Sequence, residues 1–507
     1  MKSPIPPTRG LYTDVIDIRR RVFMEVARAV MYTDHTHPAE IKEDIARIPF
    51  RVIRGEDPTY RCCVSRERAV VTERVRLAFG LAQWEGALQG PVHIGIENVL
   101  KPEKVRDGPI VQVIVEACEK CPPRAFLVTD NCRRCIAHPC TLVCPARAFD
   151  RTEDGRPKIN RERCIRCGLC EKACPFHAIV AFDRPCAAAC GVGAITSDET
   201  GRALVDATKC VHCGMCIPAC PFGAVAERAE FVQMLIAMKQ QIPMYAIVAP
   251  AFVGQFGPLV TPGQILEGIR RIGFLGVFEV AWGADIATRE ESEEWHRKVV
   301  IEGQPFLGTS CCPAWVDMAR REFPAFAANI SHSYTPMAET GRRVKELFPG
   351  ARVTFIGPCT AKKAESLRPE LAPFVDFVIT FEELAAIFVA ADISLDDIED
   401  HPSSWSVSGS GRHYAVCGGV GEAVKSRIRQ QYPEAEVKIE SADTLTECRK
   451  MITQTVSGAV KANLIEGMAC PGGCVGGAGI IAPIRKTTVE VGKFARSTPV
   501  FTAPDQS

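Results

Sequence analysis

Twenty-five of the 507 residues are cysteine, and many are spaced as metal ligands are. Cys164, Cys167, Cys170 and Cys174 form C-x2-C-x2-C-x3-C followed by Pro175; Cys210, Cys213, Cys216 and Cys220 repeat it before Pro221. Cys132, Cys135, Cys140 and Cys144 form a stretched version before Pro145, with two extra residues ahead of the third cysteine. Cys186-x3-Cys190 keeps only the third and fourth positions, and Cys118-x2-Cys121 is a spare pair. A tight loop of this spacing points three thiolates at three corners of a [4Fe–4S] cubane, while the fourth, opening the next helix, reaches a neighbouring cluster. C-x2-C pairs also bind zinc, but the repeated four-cysteine pattern ending in proline argues for iron–sulfur, and buried free thiols do not explain a repeat. His138, His177 and His212 lie within the block. They are expected near the clusters or at the surface rather than as ligands, because the cysteines suffice.

The spacing is similar to that of bacterial ferredoxins, whose crossed ligation assigns the cysteines to clusters. The first takes Cys132, Cys135, Cys140 and Cys174, and the second Cys164, Cys167, Cys170 and Cys144. The third takes Cys210, Cys213, Cys216 and Cys190. The fourth takes what is left, Cys118, Cys121, Cys186 and Cys220. That last assignment rests on sixteen cysteines filling sixteen positions; the alternative is three accessory clusters with Cys118 and Cys121 as bystanders. Several clusters in series imply electron conduction.

The rest of the chain must position these groups. Sixty-one Lys and Arg against 60 Asp and Glu leave a net charge of +1, no surplus for nucleic acid or an acidic membrane. Hydrophobic residues at 47% and charged residues at 24% exclude wholesale disorder. No apolar run reaches membrane-spanning length, and the first residues lack a signal-peptide core. The expectation is a cytoplasmic protein with reduced thiols, without nucleic-acid or membrane partners. Three zones follow. Residues 1–115 are Arg-rich and mainly helical, with Val71, Val75, Ala78 and Ala82 at helical spacing. Residues 116–226 hold two ferredoxin-type units. Residues 243–507 alternate strands with helices, an α/β pattern with parallel pairing, so that the whole is a multidomain α+β and α/β chain. Strands are expected at Tyr245–Val248, Val277–Val280, Val353–Ile356, Phe374–Ile379 and Val437–Ile439, and helices at Met337–Phe348, Phe381–Ala391 and from Thr261-Pro262 to about Gly273.

In this last zone cysteines sit in Gly/Pro-rich motifs: Thr309-Ser-Cys-Cys-Pro-Ala-Trp315, Gly357-Pro-Cys-Thr-Ala-Lys-Lys-Ala-Glu365 and Glu466-Gly-Met-Ala-Cys-Pro-Gly-Gly-Cys-Val-Gly-Gly-Ala-Gly479. The three segments resemble the signature motifs of [FeFe]-hydrogenases, in order and approximate spacing, over roughly residues 116–500. The GPC and GGAG variants resemble the family's second subgroup. The resemblance implies an H-cluster, a [4Fe–4S] cubane joined through one cysteine sulfur to a two-iron subsite carrying CO, cyanide and azadithiolate. Its cubane ligands would be Cys312, Cys359, Cys470 and Cys474, with Cys474 bridging. Lys362 would hydrogen-bond a cyanide, Met468 and Pro250 would line the two-iron pocket, and Cys311 would exchange protons with the bridgehead amine.

The implied proton route continues from Cys311 to Glu291, Ser331 and Glu294, with Lys298 where an Arg is common. Glu291 and Glu294 are three apart and share a helix face; without the resemblance, a solvated acidic run is the plainer reading of Glu290–Glu294. Gly357 replaces a frequent Met, Ala251 and Cys417 stand where hydroxyl residues are frequent, and Ala478 breaks a triple-glycine run. Cys417 and Cys448 are expected as buried structural thiols, and the vicinal Cys62 and Cys63 as structural too, although such a pair suits redox sensing. The function implied is reversible oxidation of H2 to protons and electrons, with ferredoxin as the external partner and maturation proteins supplying the cofactor. The Gly-rich stretches 409–411 and 418–421 do not match a dinucleotide fingerprint. A hydrogen or redox sensor with slow turnover is the alternative. An iron–sulfur assembly protein of the hydrogenase-like eukaryotic group is a third reading, disfavoured by the presence of Cys311, Lys362 and Met468.

Overall fold

A computed structural model describes residues 12–33, 38–83, 90–401, 407–500 and 503. The first eleven positions of the Arg-rich zone lie outside them. Helix α1 (Asp14–Tyr32) opens on Thr13, whose side chain accepts from the Ile16 N–H, and Asp14 and Asp17 in its first turn suit the helix dipole. Ile18, Val22, Phe23, Val26 and Val30 form its buried stripe. Helices α2 (Pro38–Val52) and α3 (Val64–Ala78) pack on it. The α3 helix ends at Ala78, so Ala82 of the expected helical spacing lies outside it.

These helices do not form a separate core. Val22, Val26, Ile45 and Val75 belong to one apolar cluster with Ile247, Ile356, Ile379 and Leu384 from the far end of the chain. The α1 helix also lies along helix Phe381–Ala390, and Arg19 and Arg20 both pair with Glu382 there.

The cysteine-rich zone is built from short antiparallel pairs. Strand β1 (Val111–Val113) opens it, followed by β2 (Ala125–Val128), β3 (Phe149–Arg151), β4 (Pro157–Ile159) and β5 (Ile179–Phe182). Strands β6 (Ile195–Ser197), β7 (Ala203–Val205) and β8 (Val225–Glu227) complete it. The pairs are β2–β5, β3–β4, β6–β7 and β1–β8. The pairing is nested: the unit bounded by β2 and β5 is inserted into the unit bounded by β1 and β8.

The C-terminal zone carries two parallel sheets. One has the order β10 (Gly276–Glu279), β9 (Met244–Val248), β12 (Arg352–Gly357) and β13 (Phe377–Thr380). The other has the order β11 (Leu307–Gly308), β15 (Leu464–Met468) and β14 (Ile439–Asp443). Two expected strands are displaced. Phe374–Asp376 precede β13, with Phe374 closing a turn on Leu371, and Val437 and Lys438 precede β14. Helix Pro262–Ile272 does open on Thr261, with Gln264 completing a capping box, and Gly273 caps its end. The iron–sulfur zone is tied to this part where β8 ends: Glu227 accepts the Thr360 hydroxyl at 2.7 Å, one residue beyond Cys359. Among the described residues no helix is long and apolar enough to cross a membrane.

Helix Ala281–Trp295, which carries Glu291 and Glu294, packs against helix Pro336–Leu347 at Gly283. A Cβ on Gly283 would fall on the Pro336 carbonyl oxygen and the Thr340 hydroxyl. Gly283→Ala is therefore expected to destabilise the fold by about 1–3 kcal/mol through overpacking. Chemical denaturation checks this, and an unchanged midpoint contradicts it.

Candidate active site

Four segments arrive at one place because four parallel strands end there. Pro250 follows β9, Cys311 and Cys312 follow β11, Cys359 follows β12, and Cys470 follows β15. The crevice beyond the carboxyl ends of parallel strands is the usual ligand position in such sheets. It holds an almost wholly apolar cavity of about 80 Å³. Pro250, Cys311, Cys312, Cys359, Lys362, Met468, Cys470 and Cys474 all line it, so every residue expected at the two-metal site is gathered around one space. Cys213 of the third accessory set lines it too.

Burial and neighbouring sulfurs make these thiols hard to ionise. The Cys359 thiol is pushed up to about 12, by burial first and then by Cys312, with Lys362 opposing. Cys474 is raised for the same reasons. Soft donors whose ionisation burial and neighbouring sulfurs oppose, as at Cys359 and Cys474, suit a cationic iron–sulfur core, which would hold its ligands as thiolates. Lys362 is buried, pairs with Glu365 at 2.6 Å and reaches the Cys311 carbonyl at 3.5 Å. Thr335 fixes Glu365 with a 2.8 Å hydrogen bond. An ammonium held beside an apolar cavity fits an anionic cyanide ligand. Among the described residues, no three His, Cys, Asp or Glu side chains converge as on a single ion.

The acidic run is not a solvated face throughout. Glu291 is 1% exposed, and its Oε1 accepts from the Ser310 N–H at 2.8 Å and the Ser310 hydroxyl at 2.9 Å. Its Oε2 has no hydrogen-bond partner among the described residues. Burial, assisted by the charges of Glu294 and Glu466, raises Glu291 to about 7. Glu294 differs: burial opposes its charge, but hydrogen bonds from Lys298 and Ser331 prevail and hold it below the usual range. The Ser331 hydroxyl donates to Glu294 at 2.5 Å, and Lys298 pairs with it at 2.7 Å. Thus Ser331 and Glu294 are in direct contact, whereas Cys311 and Glu291, and Glu291 and Ser331, share no direct hydrogen bond. Ser310 and Glu466 were not singled out from sequence. Glu466 is fully buried, accepts from the Gly418 and Gly421 N–H groups at 2.8 Å, and is raised to about 7 by burial. Nothing in the spacing marks either residue, because both act through contacts distant in sequence.

The structure brings together accessory cysteines from different motifs. Cys132, Cys135, Cys140 and Cys174 line one small cavity. The Cys170 thiol is raised by burial and then by Cys144 and Cys164. Cys216 is raised by burial and then by Cys213, Cys190 and Cys210. Cys186 and Cys121 are each raised by burial and then chiefly by Cys220, with Cys118 contributing. The spare pair and the half-motif are two halves of one motif, Cys118-x2-Cys121 and Cys186-x3-Cys190, interrupted by residues 122–185. Local backbone supports this. Lys120 is left-handed at φ 50°, as are Arg134, Arg166 and His212 at the same position of the other C-x2-C pairs. Cys190 Sγ accepts from the N–H four residues on at 3.2 Å, as Cys144, Cys174 and Cys220 do. His177 is exposed, and His138 and His212 are partly buried. Cys448 is buried and Cys417 only partly so. Cys62 and Cys63, expected as structural thiols, are both exposed, because they lie in the loop that opens α3 rather than in its packed face.

Residues 242–478 match the family of the iron only hydrogenase large subunit, C-terminal domain. Residues 157–180 match a 4Fe-4S binding domain and residues 184–224 a 4Fe-4S dicluster domain. Iron hydrogenase 1 of Clostridium pasteurianum is 30% identical over 48% of this chain and 50% of its own length. The NADP-reducing hydrogenase subunit HndD of Solidesulfovibrio fructosivorans is 29% identical over 43% of this chain and 45% of its own. The chain thus spans about half the length of these two relatives. Cytosolic iron-sulfur assembly component 3 of Pongo abelii is 25% identical over 49% of this chain and 62% of its own. Residues 242–478 are thus [FeFe]-hydrogenase-like, a mixed α/β domain preceded by 4Fe-4S segments.

Because Glu291 keeps its proton to about pH 7 when folded, against about 4.3 for a free side chain, the native state binds the extra proton between those values. Stability contributed by this group is complete below the lower value and is lost as pH rises through the upper one. Glu291→Gln should gain stability relative to the parent as pH goes from 5 to 8. Urea midpoints of the two proteins measured across that range test it, and a constant difference refutes it.

Proposed function

We propose that the chain interconverts H2 with two protons and two electrons at an H-cluster held by Cys312, Cys359, Cys470 and Cys474, with Cys474 bridging to the two-iron subsite. The observation that carries this reading is the gathering of these four cysteines with Cys311, Lys362, Met468 and Pro250 around one apolar cavity bordered by Cys213. When bound, the cofactor supplies the metal chemistry of heterolytic H2 cleavage. The chain's own residues bind it, keep it dry and move protons. Lys362, steadied by Glu365, hydrogen-bonds a cyanide ligand. Met468 and Pro250 shape the two-iron pocket and exclude water.

Cys311 exchanges a proton through its Sγ. Glu291, poised near neutrality, accepts and releases a proton at modest cost. Ser331 passes it to Glu294, and the Lys298 ammonium beside Glu294 marks the exit. Across the gaps between Cys311, Glu291 and Ser331 the transfer takes place through bridging water or side-chain motion. Electrons pass from the cavity to the third accessory set, whose Cys213 borders it, and along the remaining clusters to a ferredoxin in the reducing cytoplasm. The resemblance of the GPC and GGAG variants to the family's second subgroup supports a member of that subgroup. The domain limits proposed are 1–115 for the helical region, 116–226 for the iron–sulfur units and 243–507 for the catalytic domain.

An iron–sulfur assembly role is favoured by the 25% identity to Cytosolic iron-sulfur assembly component 3. Protein matured with the family's assembly enzymes separates the readings. Infrared bands from CO and cyanide, together with H2 evolution from reduced ferredoxin, are expected of the hydrogenase; a preparation that binds iron but shows neither belongs to the assembly reading. CO and cyanide bands with only slow turnover would point to the sensor. Cys311→Ala is expected to keep the infrared bands and to lose turnover by about a hundredfold or more. Full activity in that variant overturns the relay.

A further inference from the structure

The fourth cysteine set is the most enclosed of the accessory sets. Cys118, Cys186 and Cys220 are buried and Cys121 partly so, whereas the second set has Cys167 exposed. Two buried arginines stand against this fourth set. Arg184 is 4% exposed, and its three nitrogens donate to the carbonyls of Cys121, Thr196 and Gly201 at 2.8, 2.7 and 2.9 Å. Arg74, on α3, is 6% exposed and donates to the Gly223 carbonyl, three residues beyond Cys220. Among the described residues neither guanidinium forms an ion pair, although carboxylates elsewhere in the chain pair with Arg19, Arg51 and Arg61.

Burial and the nearby Arg19 pull Arg74 down to about 10, against the attraction of Tyr60, Cys220 and Glu382, the last of which is already paired with Arg19 and Arg20. A third arginine, Arg61, bonds the carbonyls of Ala117 and Phe222 at 3.2 and 2.9 Å and pairs with Glu119. The loop before α3 and α3 itself therefore clasp both limbs of the set. Among the described residues the arginines at the other sets are more open: Arg134 and Arg163, at the first and second motifs, are half-exposed and paired with Asp154 and Asp150, and Arg321, which donates to the Thr208 and Cys210 carbonyls of the third, is exposed.

Burying a guanidinium costs several kcal/mol unless an opposite charge lies near. Carbonyl oxygens satisfy its donors but leave its net charge in place. The counter-charge that fits the space is a thiolate-ligated cluster, which is anionic and becomes more so on reduction. Fixed positive charge in a low-dielectric site favours the reduced form.

We propose that Arg74 and Arg184 are the buried counter-charges of the fourth cluster and give it the highest reduction potential of the accessory set, so that the N-terminal helical region, through Arg74, shares in deciding where an electron rests along the wire. The inference relies on the four-cluster reading above. The step is a single electron transfer: a neighbouring reduced cluster is oxidised as this one is reduced, and no bond or proton changes hands. The neighbour is the third set: the short helix Pro185–Ala188, which carries Cys186, packs against the helix Cys216–Ala219.

The test is a potentiometric titration followed by electron paramagnetic resonance, with iron quantitation, on the full chain carrying its clusters. Arg74→Met and Arg184→Met are compared with the parent and with Arg74→Lys and Arg184→Lys. The expected result is that the couple of highest potential falls, in each Met variant, by at least about 59 mV, a tenfold drop in its reduction equilibrium. The other couples stay in place, and the Lys variants recover part of the fall. If a Met variant loses one cluster's iron, the Lys variant carries the comparison. An unmoved highest couple at full iron content, or movement of a different couple instead, overturns the proposal. Iron in the parent fitting only three accessory clusters removes the four-cluster reading itself, an outcome visible before any variant is made.

Discussion

Thiolates repel one another, and everything in this chain that brings four sulfurs together works against that repulsion. Cys216 is raised by burial and then by Cys213, Cys190 and Cys210. A set of this kind would be held as thiolates around a cation, which would couple metal binding to folding. The protein's share is to make convergence cheap. It does so with the same local devices in each accessory motif: a left-handed residue ahead of the second cysteine and an N–H donated to the last sulfur. A left-handed conformation is uncommon for non-glycine residues. Its recurrence at Lys120, Arg134, Arg166 and His212 therefore reflects a demand of the cluster loop rather than of the side chains.

That regularity explains which sites were legible. Where a ligand loop is continuous, spacing in sequence is spacing in space, and the motifs at Cys132, Cys164 and Cys210 declared themselves. The motif beginning at Cys118 was visible only as leftovers, because a complete second unit is inserted between its second and third cysteines. The antiparallel β1–β8 pair, which closes the outer unit around the inner one, joins residues more than a hundred positions apart. Local periodicity carries no signal at that separation. The catalytic motifs were legible for a different reason, their resemblance to a family; geometry added that they meet at the ends of four parallel strands.

What was misread follows the same division. A short parallel strand buried on both faces, as β13 is, appears as an apolar run without sharp ends, so its start is read early, at Phe374. The edge strand β14 is half-exposed and polar, so the apolar Val437 ahead of it draws the expectation early instead. Helical spacing ran on to Ala82 although α3 stops at Ala78, since periodicity marks a face and not a terminus. The acidic run looked solvated because a glutamate gives no sign of its neighbours. Only the fold shows Glu291 enclosed beneath Ser310, and Glu294 held by Lys298 and Ser331.

Cys311 and Cys312 are adjacent in the chain but belong to different surroundings. Cys311 packs with Ala284, Tyr414, Val420 and Met468, on the side of helix Ala281–Trp295 and its glutamates. Cys312 packs, as do Cys190, Cys210, Cys213 and Cys359, against the core of Trp315, Ala361 and Ala469, on the side of the accessory cysteines. The turn after β11 therefore faces two surroundings within one peptide unit. In the proposed reading, protons leave through Cys311 toward Glu291, and electrons leave through the cubane at Cys312 toward Cys213. The separation suits the chemistry. A proton route needs polar groups that ionise near neutrality, while a chain of anionic clusters is tuned by fixed cations and protected by dry packing. Keeping carboxylates such as Glu291 on one side, and arginines such as Arg184 on the other, lets each route be tuned without disturbing its neighbour.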